Sequence, residues 1–199
     1  MSATPHPEPP ADPRTQARDP RQACWDRAIE TYGTAWIFSR RAKRLAAWLR
    51  RLAFVSLVGP LTVGALATGF GLQWWGLSIA LVVAAIVGVI QAIVSLWALT
   101  ANWEDSLKYA YESQSDNNRL SREFQELAEA QPNDFEIRRQ VLNAQYNARE
   151  QSDNNQHITE PEKREGMRAG LRQFERACSA CKKVPTSMSP SQCEVCGNF

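Results

Sequence analysis

Residues 52–70, LAFVSLVGPLTVGALATGF, carry no charged side chain, and neither do residues 74–99, WWGLSIALVVAAIVGVIQAIVSLWAL. A helix crosses about 30 Å of hydrocarbon with roughly 20 residues, so each run is long enough to span a bilayer. Only Gly71, Leu72 and Gln73 separate them. The pair reads as a transmembrane helical hairpin whose turn is too short to hold a translocated domain. Burying such a hairpin in a soluble protein would need a large shell, and the remainder of the chain is too polar to supply one. A cleavable signal peptide is excluded, because about 50 residues precede the first run and a second span follows it.

Charge sets the expected orientation. Residues 40–51, RRAKRLAAWLRR, hold Arg40, Arg41, Lys43, Arg44, Arg50 and Arg51 and no acidic residue. Basic residues flanking short spans stay cytoplasmic. Two spans then place both termini on that side, and the Glu104, Asp105 and Lys108 that follow the second run give little opposing bias. Trp48 before the first span, Trp74 and Trp75 at the far turn, and Trp97 and Trp103 at the exit suit the interface, which satisfies both an apolar ring and its N–H.

Small residues recur every fourth position in both runs: Ser56, Pro60, Gly64 and Thr68, then Ala80, Ala84, Gly88 and Ala92. Residues four apart share a helix face, and a small face lets membrane helices approach closely. Such faces can pack the hairpin on itself or build an oligomer. Pro60 lacks an N–H and predicts a kink near Gly59. Gln91, with Gly88 and Ser95, makes a thin polar strip that suits either an interhelical hydrogen bond or the lining of a pore. No ionisable residue lies inside either run, which argues against a proton relay, a voltage sensor or a pump.

The flanks read as helical. Residues 1–20 contain six prolines and form a disordered leader. In residues 21–51, Trp25, Ile29, Tyr32 and Trp36 recur at the spacing of an amphipathic helix, which can rest on anionic lipid or pack on other helices. Beyond the hairpin, residues 100–176 form a cytoplasmic helical region. One helix runs from Trp103 to about Ala130 with the stripe Leu120, Phe124 and Leu127, and Pro132 ends it. Asn133 with Glu136 predicts a capping box for the next helix, lined by Phe135, Leu142 and Tyr146. Thr159 with Glu162, and Pro161 in the first turn, start a third, with the stripe Met167, Leu171 and Phe174. The pentapeptide QSDNN occurs at Gln114–Asn118 and at Gln151–Asn155. Asp and Asn compete with helical hydrogen bonds, so both copies read as breaks or turns. From Thr100 onward there are 13 basic and 16 acidic residues, which offers no broad nucleic-acid footprint.

The chain closes on CSACKKVPTSMSPSQCEVCGNF, residues 178–199. Cytoplasmic thiols stay reduced, so two structural disulfides are not expected. Two C-x-x-C pairs on one short segment suit a tetrahedral zinc site formed by Cys178, Cys181, Cys193 and Cys196. A dithiol redox centre would need only one pair beside a strand and a helix, and no such α/β context is present. Four thiolates leave no open coordination position, so the zinc would be structural. Gly197 fits a knuckle that needs positive φ. Cys24, alone beside Trp25, reads as a small helix residue. No P-loop, G-x-S-x-G or H-E-x-x-H motif occurs, so enzyme function is not expected. The chain reads as an all-α membrane protein: a two-helix hairpin, cytoplasmic amphipathic and coiled helices, and a C-terminal zinc knuckle at residues 177–199, placed to touch a partner.

The segment CWDRAIETYGTAWIFSRRAKRL, the two apolar runs, the helical extension and the terminal C-x-x-C-x(11)-C-x-x-C together resemble the bacterial mobilome proteins named for that cysteine pattern. Those in turn are similar to the SLATT two-span effectors. The resemblance covers about residues 21–199, and the positions matching its named motif are Cys178, Cys181, Cys193 and Cys196. It implies an inner-membrane effector in anti-phage or mobile-element conflict that oligomerises and perforates the membrane, with a nucleotide-producing or sensing partner encoded separately. A membrane-anchored adaptor, with the knuckle as docking module, is the other reading of the same features. A membrane-tethered thiol redox protein is a third.

Overall fold

The computed structural model describes residues 19–70 and 75–199; the Pro-rich leader and the turn with Trp74 lie outside the described residues, as do the side chains of Pro60, Gly64, Trp75 and several neighbours. Five helices make up the described part: α1 (Pro20–Phe70), α2 (Trp75–Thr100), α3 (Trp103–Ala130), α4 (Phe135–Asn154) and α5 (Glu160–Gln173). No strand occurs among the described residues. The first apolar run is not a separate element: α1 continues for 51 residues from the basic flank through Gly59 and Pro60.

The N-terminal half of α1 is one member of a four-helix bundle with α3, α4 and α5. Contacts run in opposite order along α1 and α3 and along α1 and α5. Phe38 meets Tyr109 with ring centroids 5.7 Å apart, and the Ser121 hydroxyl donates to the Ala28 carbonyl at 2.8 Å. These place α3 antiparallel to α1, as expected of helices wrapped around a shared apolar core. The deepest face of α1 is Cys24, Ala28, Thr31, Ala35, Phe38 and Ala42, all essentially inaccessible. Against it lie Leu120, Phe124, Leu127 and Ala128 of α3, then Leu142 and Tyr146 of α4. Each large side chain buried there contributes about 1.5–3 kcal/mol. The stripe expected from the sequence, Trp25, Ile29, Tyr32 and Trp36, is the adjoining face, on which Trp25 and Tyr32 meet Phe174 edge-on at 6.0 and 5.8 Å.

Helix α5 approaches α1 closely. A Cβ on Gly33 would lie 2.7 Å from the Gly166 carbonyl oxygen, one on Gly166 2.7 Å from that of Gly33, and one on Gly170 2.5 Å from that of Ile29. Only glycine lets the two backbones touch at these points. The start of α5 is fixed as its sequence predicts: the Thr159 side chain accepts from the Glu162 N–H, Glu162 reaches back to the Thr159 N–H, and Pro161 lies in the first turn.

Two local expectations are corrected. Asn133 does not cap α4; the cap is Asp134, and its carboxylate takes the Arg138 guanidinium at 2.8 Å instead of a backbone N–H. Of the QSDNN copies, the first is not a break, and only the second meets the expectation of a helix end and turn. The first lies in the middle of α3 and the second ends α4, and the two meet. Asp153, only 3 % exposed, accepts from the Tyr109 hydroxyl at 2.7 Å, the Ser113 hydroxyl at 2.8 Å, the Asn117 amide at 2.7 Å and Arg149 at 3.0 Å. A buried carboxylate is tolerated when several donors satisfy it. Burial, and then the bond to Asp153, push the Tyr109 phenol above its ordinary pKa and keep it a donor.

Candidate metal centre

The four cysteines of the tail converge. Their sulfurs all lie within 4.8 Å of one another, with Cys178 and Cys193 Sγ 3.9 Å apart and Cys181 and Cys196 Sγ 3.8 Å apart. All are free thiols, far beyond the roughly 2.05 Å of a disulfide. Four sulfurs about 2.3 Å from a tetrahedral ion stand about 3.8 Å apart, so the donor set fits a metal ion of that geometry.

Each C-x-x-C forms a turn that turns two sulfurs inward. In the first, the Lys182 N–H donates to the Cys178 carbonyl at 2.9 Å; in the second, the Gly197 N–H donates to the Cys193 carbonyl, also at 2.9 Å. Lys182 takes the left-handed conformation, φ 59°. Its counterpart Gly197 does not. Glycine is required at 197 by crowding instead: a Cβ there would meet the Ser191 side chain and lie 2.8 Å from its carbonyl oxygen, while the Ser191 N–H donates to the Gly197 carbonyl at 2.8 Å. The N–H groups of Val195 and Cys196 lower the pKa of the Cys193 thiol, whereas burial pushes that of the Cys196 thiol up.

The tail is not held out at the end of a stalk. Cys178 and Cys196 are buried against Ile29 and Leu171, with Met167 and Phe174 alongside. Arg168 of α5 donates to the Ser187 carbonyl at 2.7 Å and the Cys196 carbonyl at 3.1 Å. Arg164 donates to the Asn198 carbonyl at 3.0 Å. These arginines look like ordinary surface residues of a helix in the sequence, and nothing in their spacing marks them as the tail's anchors.

A family model described as "Mobilome CxxCx(11)CxxC protein" matches residues 21–199. The chain belongs to that family. No curated protein and no solved structure matches it. The matched region takes in the bundle, the apolar helices and the four converging thiols.

The remaining residues singled out in the sequence divide into two groups. Of the basic flank, Arg41 forms a bidentate pair with Glu162 at 2.9 and 2.7 Å, and Arg40 pairs with Glu165. Both belong to the bundle. Lys43, Arg44, Arg50 and Arg51 are exposed. In the apolar region, Leu81–Ala98 is the one helical window among the described residues that is long and apolar enough to cross a membrane, with mean hydropathy 2.4 and none of it buried. The amide of Gln91 donates to the Ser56 hydroxyl, joining α2 to α1. Ala84 and Ser95 are half-buried on the same side, whereas Gly88 is exposed and a Cβ there would meet nothing within 4 Å.

Proposed function

We propose that the chain is a SLATT-like membrane effector of a bacterial mobile-element or anti-phage conflict system. In this reading residues 52–70 and 74–99 form a two-span hairpin in the inner membrane, with both termini cytoplasmic. The observation that carries it is the apolar helical stretch Leu81–Ala98, none of it buried and most of it exposed, yet joined to a well-packed polar bundle. Exposed apolar area of that extent is a membrane or partner surface rather than a solvated one. The first apolar run lies antiparallel to it through the Ser56–Gln91 bond. The small face at Gly88 and Ala92 is open in the single chain, which favours use in an oligomer. Perturbation or perforation of the membrane by that oligomer, on a signal from a separately encoded nucleotide-producing or sensor protein, is the activity proposed. No catalytic step and no direct nucleic-acid contact is assigned to the chain. The four thiols take one structural zinc.

The second reading, a membrane-anchored adaptor, gains less support because the tail packs on α1 and α5. Induced expression with a membrane-potential dye separates the two. Depolarisation that appears with the trigger and is lost when the apolar run 81–98 is interrupted by charges supports the effector. Full membrane potential under triggers that halt the cell would rule it out.

A further inference from the structure

The basic flank of α1 has a second tier of organisation. Lys43 and Arg50 are seven residues apart, as are Arg44 and Arg51. Seven residues return to nearly the same helix face about 10 Å further along. The four cations therefore form two stacked pairs on one side of α1. All four are exposed, and none has a carboxylate partner within the bundle, unlike Arg40 and Arg41. Between the pairs lies Ala47, whose small side chain leaves a shallow depression bounded by Arg50, Arg51, Phe54 and Val55.

The same face becomes apolar directly beyond the second pair. Phe54, Leu57 and Leu61 are each more than 60 % exposed. Trp48, half exposed, carries the Arg51 guanidinium 5.4 Å from its ring centre. The Phe38–Tyr109 and Ser56–Gln91 contacts fix an antiparallel register that sets the turn at Ala101 and Asn102 beside residues 44–48. Exposed Trp97 lies close to this level. Glu104 and Asp105 open α3 there and pair with none of the four cations.

We infer that Lys43, Arg44, Arg50 and Arg51, with Trp48 and Phe54, form a docking surface for the headgroup phosphates of anionic phospholipids. The cations take the phosphates and the exposed apolar residues above them take the acyl chains. A nucleic acid or an acidic protein would match the cations but leave Phe54, Leu57 and Leu61 uncovered; a lipid matches both. The inference rests on the membrane reading above. A Lys or Arg near an anionic leaflet contributes about 1 kcal/mol, or roughly a fivefold change in affinity.

The full chain is purified in non-ionic detergent and titrated with dioctanoyl phosphatidylglycerol, dioctanoyl phosphatidylcholine or glycerol phosphate, with bound species counted by native mass spectrometry. Phosphatidylglycerol is expected to half-saturate at a concentration at least tenfold below the other two. The K43Q/R44Q/R50Q/R51Q variant should lose at least tenfold, whereas R21Q/R122Q/K108Q/K183Q, with equal charge removed elsewhere, should lose less than threefold. Equal binding of the two lipids, equal binding of glycerol phosphate, or equal losses in both variants would overturn the inference. Should the fourfold variant lose helical signal, the R50E/R51E double variant is read in its place by the same criteria. Alkaline carbonate extraction of cell membranes tests the membrane reading separately: release of the chain would overturn that reading, while the detergent titration still decides headgroup recognition.

Discussion

One guanidinium closes the α4–α5 connection onto α1. Besides its two bonds to Glu162, Arg41 donates to the Gln156 carbonyl at 2.8 Å and to that of His157 at 3.2 Å. These bonds, chiefly the one from Arg41 and then the Thr159 backbone N–H, hold the Glu162 carboxyl at a pKa of about 2 against an ordinary 4.5. A carboxylate whose folded pKa is depressed contributes stability that is fully present above its unfolded pKa and lost as pH falls through the folded one. Unfolding free energy should therefore drop by about 1–3 kcal/mol between pH 5 and pH 2 on this account. Glu162→Gln keeps a capping side chain at this position but removes the charge, so its denaturant midpoint should be lower at pH 7 and should vary less over that range. An unchanged slope in the variant would show that other carboxylates carry the acid sensitivity. In the sequence Arg40 and Arg41 are indistinguishable from the four cations beyond them. Their acidic partners lie more than 120 residues away, and local charge patterning carries no information about pairing at that distance.

At the scale of elements, the α1–α5 contact depends on glycine. Alanine at Gly166 or Gly170 would press a methyl group into a facing carbonyl at 2.5–2.7 Å, and such overpacking typically costs 1–3 kcal/mol. Each substitution should lower the thermal midpoint of the bundle, while Gly88→Ala, which meets nothing within 4 Å, should leave it unchanged. Equal melting of all three would mean that α5 can shift away from α1 without loss. The four-residue spacing of these two glycines is the same kind of signal as the small faces of the apolar runs, and it was visible in the sequence. Helix identity and most ends were also legible: Ala130 does end α3, and the Thr159 capping box is formed. The failures have a common cause. Asn133 was displaced as cap by a turn in which the Phe135 N–H bonds the Pro132 carbonyl. The first QSDNN copy stays helical because Asn117 donates to the buried Asp153 as well as to the Ser113 carbonyl one turn back, whereas the second closes α4 and passes into a turn at Asn155. Intrinsic preference yields when a buried network offers Asp and Asn better donors.

For the molecule as a whole, the tail and the bundle form one packed body. Structural zinc contributes on the order of 10–16 kcal/mol in small finger peptides, more than the few apolar contacts of residues 177–199 can supply. Purified protein should contain close to one zinc per chain, and a quadruple Cys→Ser variant none. Chelation should expose the tail to limited proteolysis, uncover Ile29 and Leu171, and lower the melting midpoint of the bundle. A tail still protected after complete metal removal would show that packing alone holds it. The four-thiol cluster was legible because C-x-x-C spacing acts locally. The docking of the tail was not, because it depends on Arg164, Arg168 and the groove between two helices far apart in the chain.

The unbroken course of α1 has a mechanical corollary. At 1.5 Å per residue the helix is roughly 75 Å long. The tail bears on it near Ile29, the Arg41 clamp grips it about two-fifths of the way along, and the remainder leads into the apolar region. The arms on either side of the clamp measure about 32 and 44 Å. The site where the tail bears on α1, near Ile29, and the start of the apolar run at Leu52 therefore lie on one continuous helix, about 35 Å apart.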